Sequence, residues 1–183
     1  MAYPAFLDTC VLYPAYLSDT LLRLAEAETY RPLWSEHVLA ELRRNLVGRG
    51  LPTGPVDRRI RQMAGAFPDA LVTGYEALID GMENDRKDRH VLAAAVRANA
   101  EVVVTFNLKD FPDTALKPYD ILAVSPDDFL LDQLDLYPGL TLGVLEGQAA
   151  SYRREPTTVA GVLALLERSG VPQFAAEVRR HLR

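Results

Sequence analysis

The sequence predicts an α/β fold, a parallel sheet covered by helices on both faces and followed by an all-helical C-terminal extension. Three observations carry this. Short apolar runs at the start of AFLDTCVL, ending at Asp8, and at EVVVT (101–105) and DILAV (120–124) have the length and composition of buried strands. Between them lie segments with apolar residues at helical spacing, and strands alternating with helices make a parallel sheet. After Ser125 no strand pattern returns.

The first run ends at Asp8, so a buried strand delivers a polar residue at its C-terminal end. A helix is expected over 18–30, with Ser18 as its N-cap. A brief strand around Leu33 and Trp34 leads to Ser35, the cap of a helix that buries Val38, Leu39, Leu42 and Leu46 and carries Glu41. GRGLPTGP (48–55) is a loop by its Gly and Pro content, and a helix over 56–66 bears Arg58, Arg59 and Arg61. A weak strand over 70–73 precedes DRKDRHVLAAAVRA (85–98), where six ionisable residues turn into an alanine-rich helix over 89–99. Taken locally, Asp85 is its N-cap and Asp88 the acid of a capping box, both favoured by the helix dipole. In the tail, SPDDFLLDQL opens a capped helix, and 138–154, 157–169 and 173–183 read as three more. The expected division is a sheet domain over 1–125 and a helical extension over 126–183. Phe129, Leu130, Leu134, Val162, Leu163, Leu165 and Leu166 serve packing in that extension.

A chain of 183 residues suits one buried core with an appendage, and 49% apolar with 25% charged residues excludes wholesale disorder. The single thiol, Cys10, excludes an intrachain disulfide and any multi-cysteine zinc site. It reads as a small buried hydrophobe in a reducing compartment. No apolar run reaches the ~18 residues of a membrane span, and MAYPAFLDT lacks the basic-then-apolar order of a signal peptide, so a cytoplasmic protein is expected. The net charge of −5 speaks against nucleic-acid binding over the whole surface. It hides an asymmetry, because 43–61 holds six arginines (Arg43, Arg44, Arg49, Arg58, Arg59, Arg61) against one acid, Asp57. That patch is either a solvated helix face or a track for a nucleic-acid backbone.

Parallel sheets place ligand sites at the carboxyl ends of their strands. Asp8 after the first strand, Asp88 at a helix start and Asp110 in TFNLKDF all fall there, and Glu41 can reach the same mouth. Each has an ordinary reading as turn former, cap or solvated acid. Together they would repel one another unless neutralised. A hard divalent cation such as Mg²⁺ or Mn²⁺, which takes oxygen ligands, is the natural counterion, and its chemistry is phosphodiester hydrolysis.

FLDTCVL, SEHVLAEL with Ser35 six positions before Glu41, and DRKDRHVLAAAVRANAEVVVTFNLKDF, in this order, resemble a PIN-domain protein of the VapC type. Such proteins are the ribonuclease toxins of bacterial toxin–antitoxin pairs, and the resemblance covers about residues 3 to 125. It implies a Rossmann-like, three-layer α/β/α PIN domain whose acids bind Mg²⁺ or Mn²⁺ and cut RNA. Carried over, Asp8, Glu41, Asp88 and Asp110 are the catalytic acids, with Asp8, Asp88 and Asp110 on the metal and Glu41 on the attacking water. Asn107 or Asp110 fills the position where some relatives place the last acid. Thr9 and Thr105 would hydrogen-bond the carboxylates, and Asp85 would hold water near the ion. The resemblance also implies a cognate antitoxin and a homodimer. Arg43, Arg44, Arg58, Arg59 and Arg61 would contact RNA or that antitoxin. The tail would bury a dimer surface, shield the RNA groove or bind the antitoxin.

A phosphatase with an Asp-x-Asp strand end is disfavoured, because Cys10 stands where the second acid is needed. A DNA nuclease shares the same metal and phosphate chemistry. A catalytically silent binding module would keep the fold without the ion. None of His37, His90 and His181 falls in a constellation that would support histidine-based cleavage.

Overall fold

The computed structural model describes residues 2–183. In chain order its elements are β1 (Pro4–Leu7), α1 (Thr9–Leu12), α2 (Ala15–Glu26), β2 (Arg31–Ser35), α3 (Glu36–Gly48), α4 (Thr53–Ala66) and β3 (Leu71–Val72). There follow α5 (Arg89–Arg97), β4 (Val102–Val104), α6 (Asp113–Leu116), β5 (Leu122–Val124), α7 (Pro126–Leu136), α8 (Pro138–Ser151), α9 (Val159–Arg168) and α10 (Pro172–His181). By compactness the chain forms two units. One contains Tyr3–Tyr13 and Arg31–Val124, the other Pro14–Tyr30 and Ser125–Arg183.

In the first unit five strands form one sheet of order β3-β2-β1-β4-β5, and every pairing is parallel. Right-handed crossovers that step from β1 outward to β3 place helices on one face; those that step the other way, to β4 and β5, place them on the opposite face. The result is the three-layer α/β/α arrangement. Its consequence for function lies at β1 and β4, where the strand order reverses and a crevice opens beyond the carboxyl ends. In that register Phe6 faces Val103 and Leu7 faces Val104, and the Asp8 N–H donates to the Val104 carbonyl at 3.1 Å. The strands are near-continuous apolar runs because both faces are covered: Ala5, Phe6, Leu7, Val103 and Val104 are wholly buried. Helix α5 is enclosed round its middle, with Val91, Leu92, Ala93, Ala94 and Ala95 all buried, and it packs on β2 and β4. Its small side chains allow that close approach.

Helix α3 begins where the Ser35 Oγ accepts the Val38 N–H at 3.2 Å. Ser35→Ala is expected to cost about 1 kcal/mol of stability in urea unfolding, the usual worth of an N-cap, while leaving the acids of the site in place. The short helix α1 is not foreseen by periodicity, since four residues complete barely one turn.

In the second unit α2 starts at Ala15 behind Pro14, whose ring sets a φ of −68°. Ser18, expected as its cap, is instead buried one turn inside the helix. Thr20 donates to the Gln148 side chain on α8 at 2.7 Å, and the Gln148 amide donates to the Tyr16 carbonyl and to the Tyr152 hydroxyl. Tyr30 meets Phe129 edge to face at 4.9 Å. Ser125 caps α7 by accepting the Asp128 N–H at 3.0 Å and donating to its carboxylate at 2.8 Å. Asp127, on α7, caps a different helix. Its buried carboxylate accepts the N–H groups of Gln173 and Phe174 at the start of α10, at 3.0 and 2.8 Å. Among the described residues no helix is long and apolar enough to cross a membrane.

Candidate active site

The crevice at the β1 and β4 ends is a cleft of about 610 Å³. Its walls carry the acids Asp8, Glu41 and Asp88 and the cations Arg44, Arg49 and Lys87, with Asn107 at the edge.

Asp8 caps α1 and is almost wholly buried. One carboxylate oxygen accepts the Thr9 N–H at 2.7 Å, and the other accepts the Thr105 hydroxyl at 2.8 Å and the Cys10 thiol at 3.4 Å. Burial raises its pKa above the ordinary aspartate value; these donors oppose the rise, and the charge of Glu41 adds to it. Thr9 in turn donates to Glu41 Oε2 at 3.1 Å, which ties the α3 acid to the mouth of the cleft. Thr105 accepts the Asn107 N–H at 3.0 Å. Cys10 is more than the buried hydrophobe read from sequence. It is only partly buried, donates to Asp8 and accepts the Phe106 N–H at 3.3 Å. Burial, and after it the Asp8 charge, pushes its pKa up to about 12, so it stays a thiol.

Asp85 and Asp88 do not form the expected capping box. A 3₁₀ turn over Arg86–Asp88 intervenes, Asp85 caps that turn through the Lys87 N–H at 3.1 Å, and Asp88 occupies the α5 cap position with no side-chain capping bond. The Asp88 carboxylate faces the cleft, and its buried Oδ2 accepts no hydrogen bond but pairs with Lys87 Nζ at 3.5 Å. Burial, followed by the charge of Asp8, pushes its pKa up to about 6, against the pull of Lys87. Asp110 lies in the turn after β4 and does not line the cleft; its carboxylate accepts Lys87 Nζ at 2.6 Å, which holds its pKa below the usual range.

The Asp88 shift fixes the sign of a pH effect. A carboxyl whose folded pKa is raised favours the fold while protonated. Its contribution is therefore full below the unfolded value near 3.8 and is lost as the pH rises through about 6. For metal-free protein the urea midpoint is expected to fall across that window, and Asp88→Asn is expected to flatten the fall. An unchanged profile in the variant would remove Asp88 as its source.

Of the five arginines singled out for RNA or antitoxin, only Arg44 lines the cleft. Arg43 pairs with Asp57 at 2.6 Å, Arg59 donates to the Leu12 carbonyl, and Arg58 and Arg61 lie exposed on α4. Arg49 lines the cleft and sits over the Tyr13 ring at 5.4 Å. Lys87 is the participant that sequence reading missed, since beside Arg86 in a run of charges nothing marks it out. Buried Asn84, which donates to the Asp88 carbonyl at 3.0 Å, likewise carries no signal. His37 bonds the Tyr75 hydroxyl at 2.6 Å and its ring lies 5.1 Å from that of His90, but neither lines the cleft.

Whether these residues suit a divalent ion turns on their donors. The set is all oxygen, which suits a hard cation, and Asp88 Oδ2 is buried without a hydrogen bond, its charge met by Lys87 Nζ at 3.5 Å. Among the described residues, however, no three His, Cys, Asp or Glu side chains form a group that could hold one, and Lys87 Nζ stands 3.5 Å from Asp88 and 2.6 Å from Asp110.

A family model described as PIN domain matches residues 4–109, and one described as VapC50 C-terminal domain matches residues 126–180. The chain is 56% identical over 117 residues to a protein of Mycobacterium tuberculosis (strain ATCC 25618 / H37Rv) whose name marks it as a provisionally assigned ribonuclease, VapC50. That stretch covers 62% of this chain and 69% of the relative. No solved structure matches the chain.

Proposed function

The chain belongs to the PIN-domain family as a VapC-type member with a helical C-terminal extension, and from that premise we propose that it is a metal-dependent endoribonuclease, the toxin of a toxin–antitoxin pair. The observation that carries this is the pairing of Asp8 and Asp88 in one cleft. Two buried carboxylates from separate elements raise each other's cost of ionisation there, and one keeps an oxygen without a hydrogen bond.

Asp8, Asp88 and Asp110 are the residues that would hold Mg²⁺ or Mn²⁺, directly or through water. A divalent ion supplies Lewis acidity, a more acidic water and neutralisation of charge on the phosphoryl group. The chain supplies the rest. Thr105 and the Thr9 N–H fix the Asp8 carboxylate, and Thr9 also orients Glu41, which would position and deprotonate the attacking water. Asp85 would hold water at the rim, and Asn107 braces Thr105 through its backbone. Arg44 and Arg49 face a backbone phosphate entering the cleft, offsetting its acidity. Arg43, Arg58, Arg59 and Arg61 would serve the approach of RNA or the antitoxin from outside it. Residues 1–125 form the nuclease domain in this proposal and 126–183 the extension, with a homodimer as the assembly.

The test is cleavage of a mixed RNA pool and of matched DNA by inhibitor-free protein, in Mn²⁺, Mg²⁺ or chelator. Metal-dependent cutting of RNA supports the proposal. Preference for DNA would move the substrate class, and folded protein that cuts neither with any metal would make this a silent binding module.

A further inference from the structure

Along α3 the cleft lining runs Glu41, Arg44, Asn45 and Gly48, a spacing that puts them on one face of the helix, and Arg49 closes the row. The row has two chemically different ends. Glu41 accepts the Thr9 hydroxyl beside Asp8, whereas Arg49 stands about 12 Å further along the axis at the usual helical rise per residue. At that far end the ring of Tyr13, which also lines the cleft, lies behind the guanidinium, 5.4 Å from Cζ to the ring centre. The backbone fixes this place. The Arg49 N–H donates to the Asn45 carbonyl at 3.2 Å, and Gly50 follows at a φ of +92°, which a glycine adopts at no steric cost and which ends the helix. Gly48 brings no side chain, and nothing lies within 4 Å of where one would begin, so the lining beside Arg49 is open.

Among the described residues Arg49 forms no ion pair and no side-chain hydrogen bond, unlike Arg43 on Asp57 and Arg59 on the Leu12 carbonyl. What it has instead is the π face of Tyr13. A guanidinium is planar and carries its N–H donors in that plane, so its face takes a stacked ring while its edge still donates. An acidic peptide would use only the edge and gain nothing from the ring behind it. A nucleobase uses both, because the base stacks on the plane and its own phosphate meets the edge. Bases paired inside a duplex offer no such face. A cleft of about 610 Å³ has the size of a site for one small molecule, which suits a single nucleotide turned out of its strand.

We propose that Arg49, backed by Tyr13, is a stacking platform for one unpaired base of the RNA substrate, and that it selects single-stranded over paired RNA at this cleft. The inference rests on the nucleic-acid reading above and not on the ion, since no acid of the site takes part in the stack. Arg44 remains a phosphate contact. Arg49 adds selectivity through the flat shape of its side chain, which its charge alone does not supply.

The experiment measures binding to the full, inhibitor-free chain by fluorescence anisotropy, at low salt and in chelator so that nothing is cut. The labelled probes are an oligoadenylate, a ribose–phosphate strand of the same length without bases, and a paired hairpin. Wild type is expected to hold the oligoadenylate most tightly. Arg49→Lys keeps the charge and loses the plane, so it is expected to weaken oligoadenylate binding about 5–100-fold, the worth of one stacked base, while changing the base-free strand less than about twofold. Tyr13→Phe, which keeps the ring, should match wild type, and Tyr13→Leu should show a base-dependent loss like that of Arg49→Lys. Should Tyr13→Leu fold poorly by circular dichroism, Arg49→Lys carries the test, because its position is exposed at the helix end. Equal losses on the base-bearing and base-free strands, or none on either, would overturn the platform, and a hairpin held as tightly as the oligoadenylate would overturn the selectivity. Folded wild type that holds none of the probes would remove the nucleic-acid reading and this inference with it, an outcome distinct from binding without dependence on bases.

Discussion

Asp8→Asn is expected to lower RNA cleavage by about 10²–10⁴-fold, the range lost when a group acting on the reacting centre is removed. The substitution keeps the shape of the side chain and an oxygen able to accept the Thr9 N–H, so α1 retains its cap. It removes a buried negative charge that Glu41 and Asp88 both oppose. Melting of the metal-free variant is accordingly expected at or above the wild-type temperature, since relief of repulsion offsets a weakened bond to Thr105. The two readouts work together. Lost cleavage with an unlowered melting temperature assigns Asp8 to chemistry. Wild-type cleavage in the variant, or loss accompanied by a lower melting temperature, would reject that role.

Asp127→Ala is expected to cost about 3 kcal/mol, the order of two charge-assisted hydrogen bonds set against partial rescue by water. Helix α10 has no cap of its own, because the residue before it, Val171, has no polar side chain. The carboxylate of Asp127 supplies the missing acceptor from α7, and it does so while buried. Asp127→Asn, which keeps one good acceptor, is expected to cost about half as much. Urea unfolding measures the total, and hydrogen exchange locates it: protection should fall first at the α10 amides. Unaltered α10 protection in Asp127→Ala would show that the helix is held by its apolar face alone.

How far such features can be read from a sequence depends on what sets them. Strands β1 and β4 were legible because a strand buried on both faces must be apolar throughout, and few other segments look like EVVVT. The place of Asp8 at the end of β1, in the cleft, was legible for the same reason, whereas Asp110 follows β4 and lies outside the cleft lining. Helix starts were harder. Ser18 has the right chemistry for a cap, but Pro14 upstream already starts the turn, and the serine is carried inside. Asp85 and Asp88 have capping-box chemistry, and one extra turn of tighter helix was enough to separate their roles. Which arginines line the cleft was not legible, for a rotational reason. Which residues of α3 and α4 face the cleft depends on helix–helix packing, so Arg44 and Arg49 line it while Arg43 is drawn to Asp57 on the neighbouring helix. Lys87 was hidden by its company. In a run of six charges, nothing in composition tells a lysine that neutralises a site from one that faces water.

The pairing of Thr20 with Gln148 sets a clock on the making of this protein. The two residues are 128 positions apart in the chain. At a synthesis rate of about 5–20 residues per second, roughly 6 to 26 seconds separate their emergence from the ribosome. Helix α2 is made early and waits through that interval without its α8 partner, while every residue that lines the cleft has already emerged. The cleft is thus complete in sequence before the helical unit is able to close.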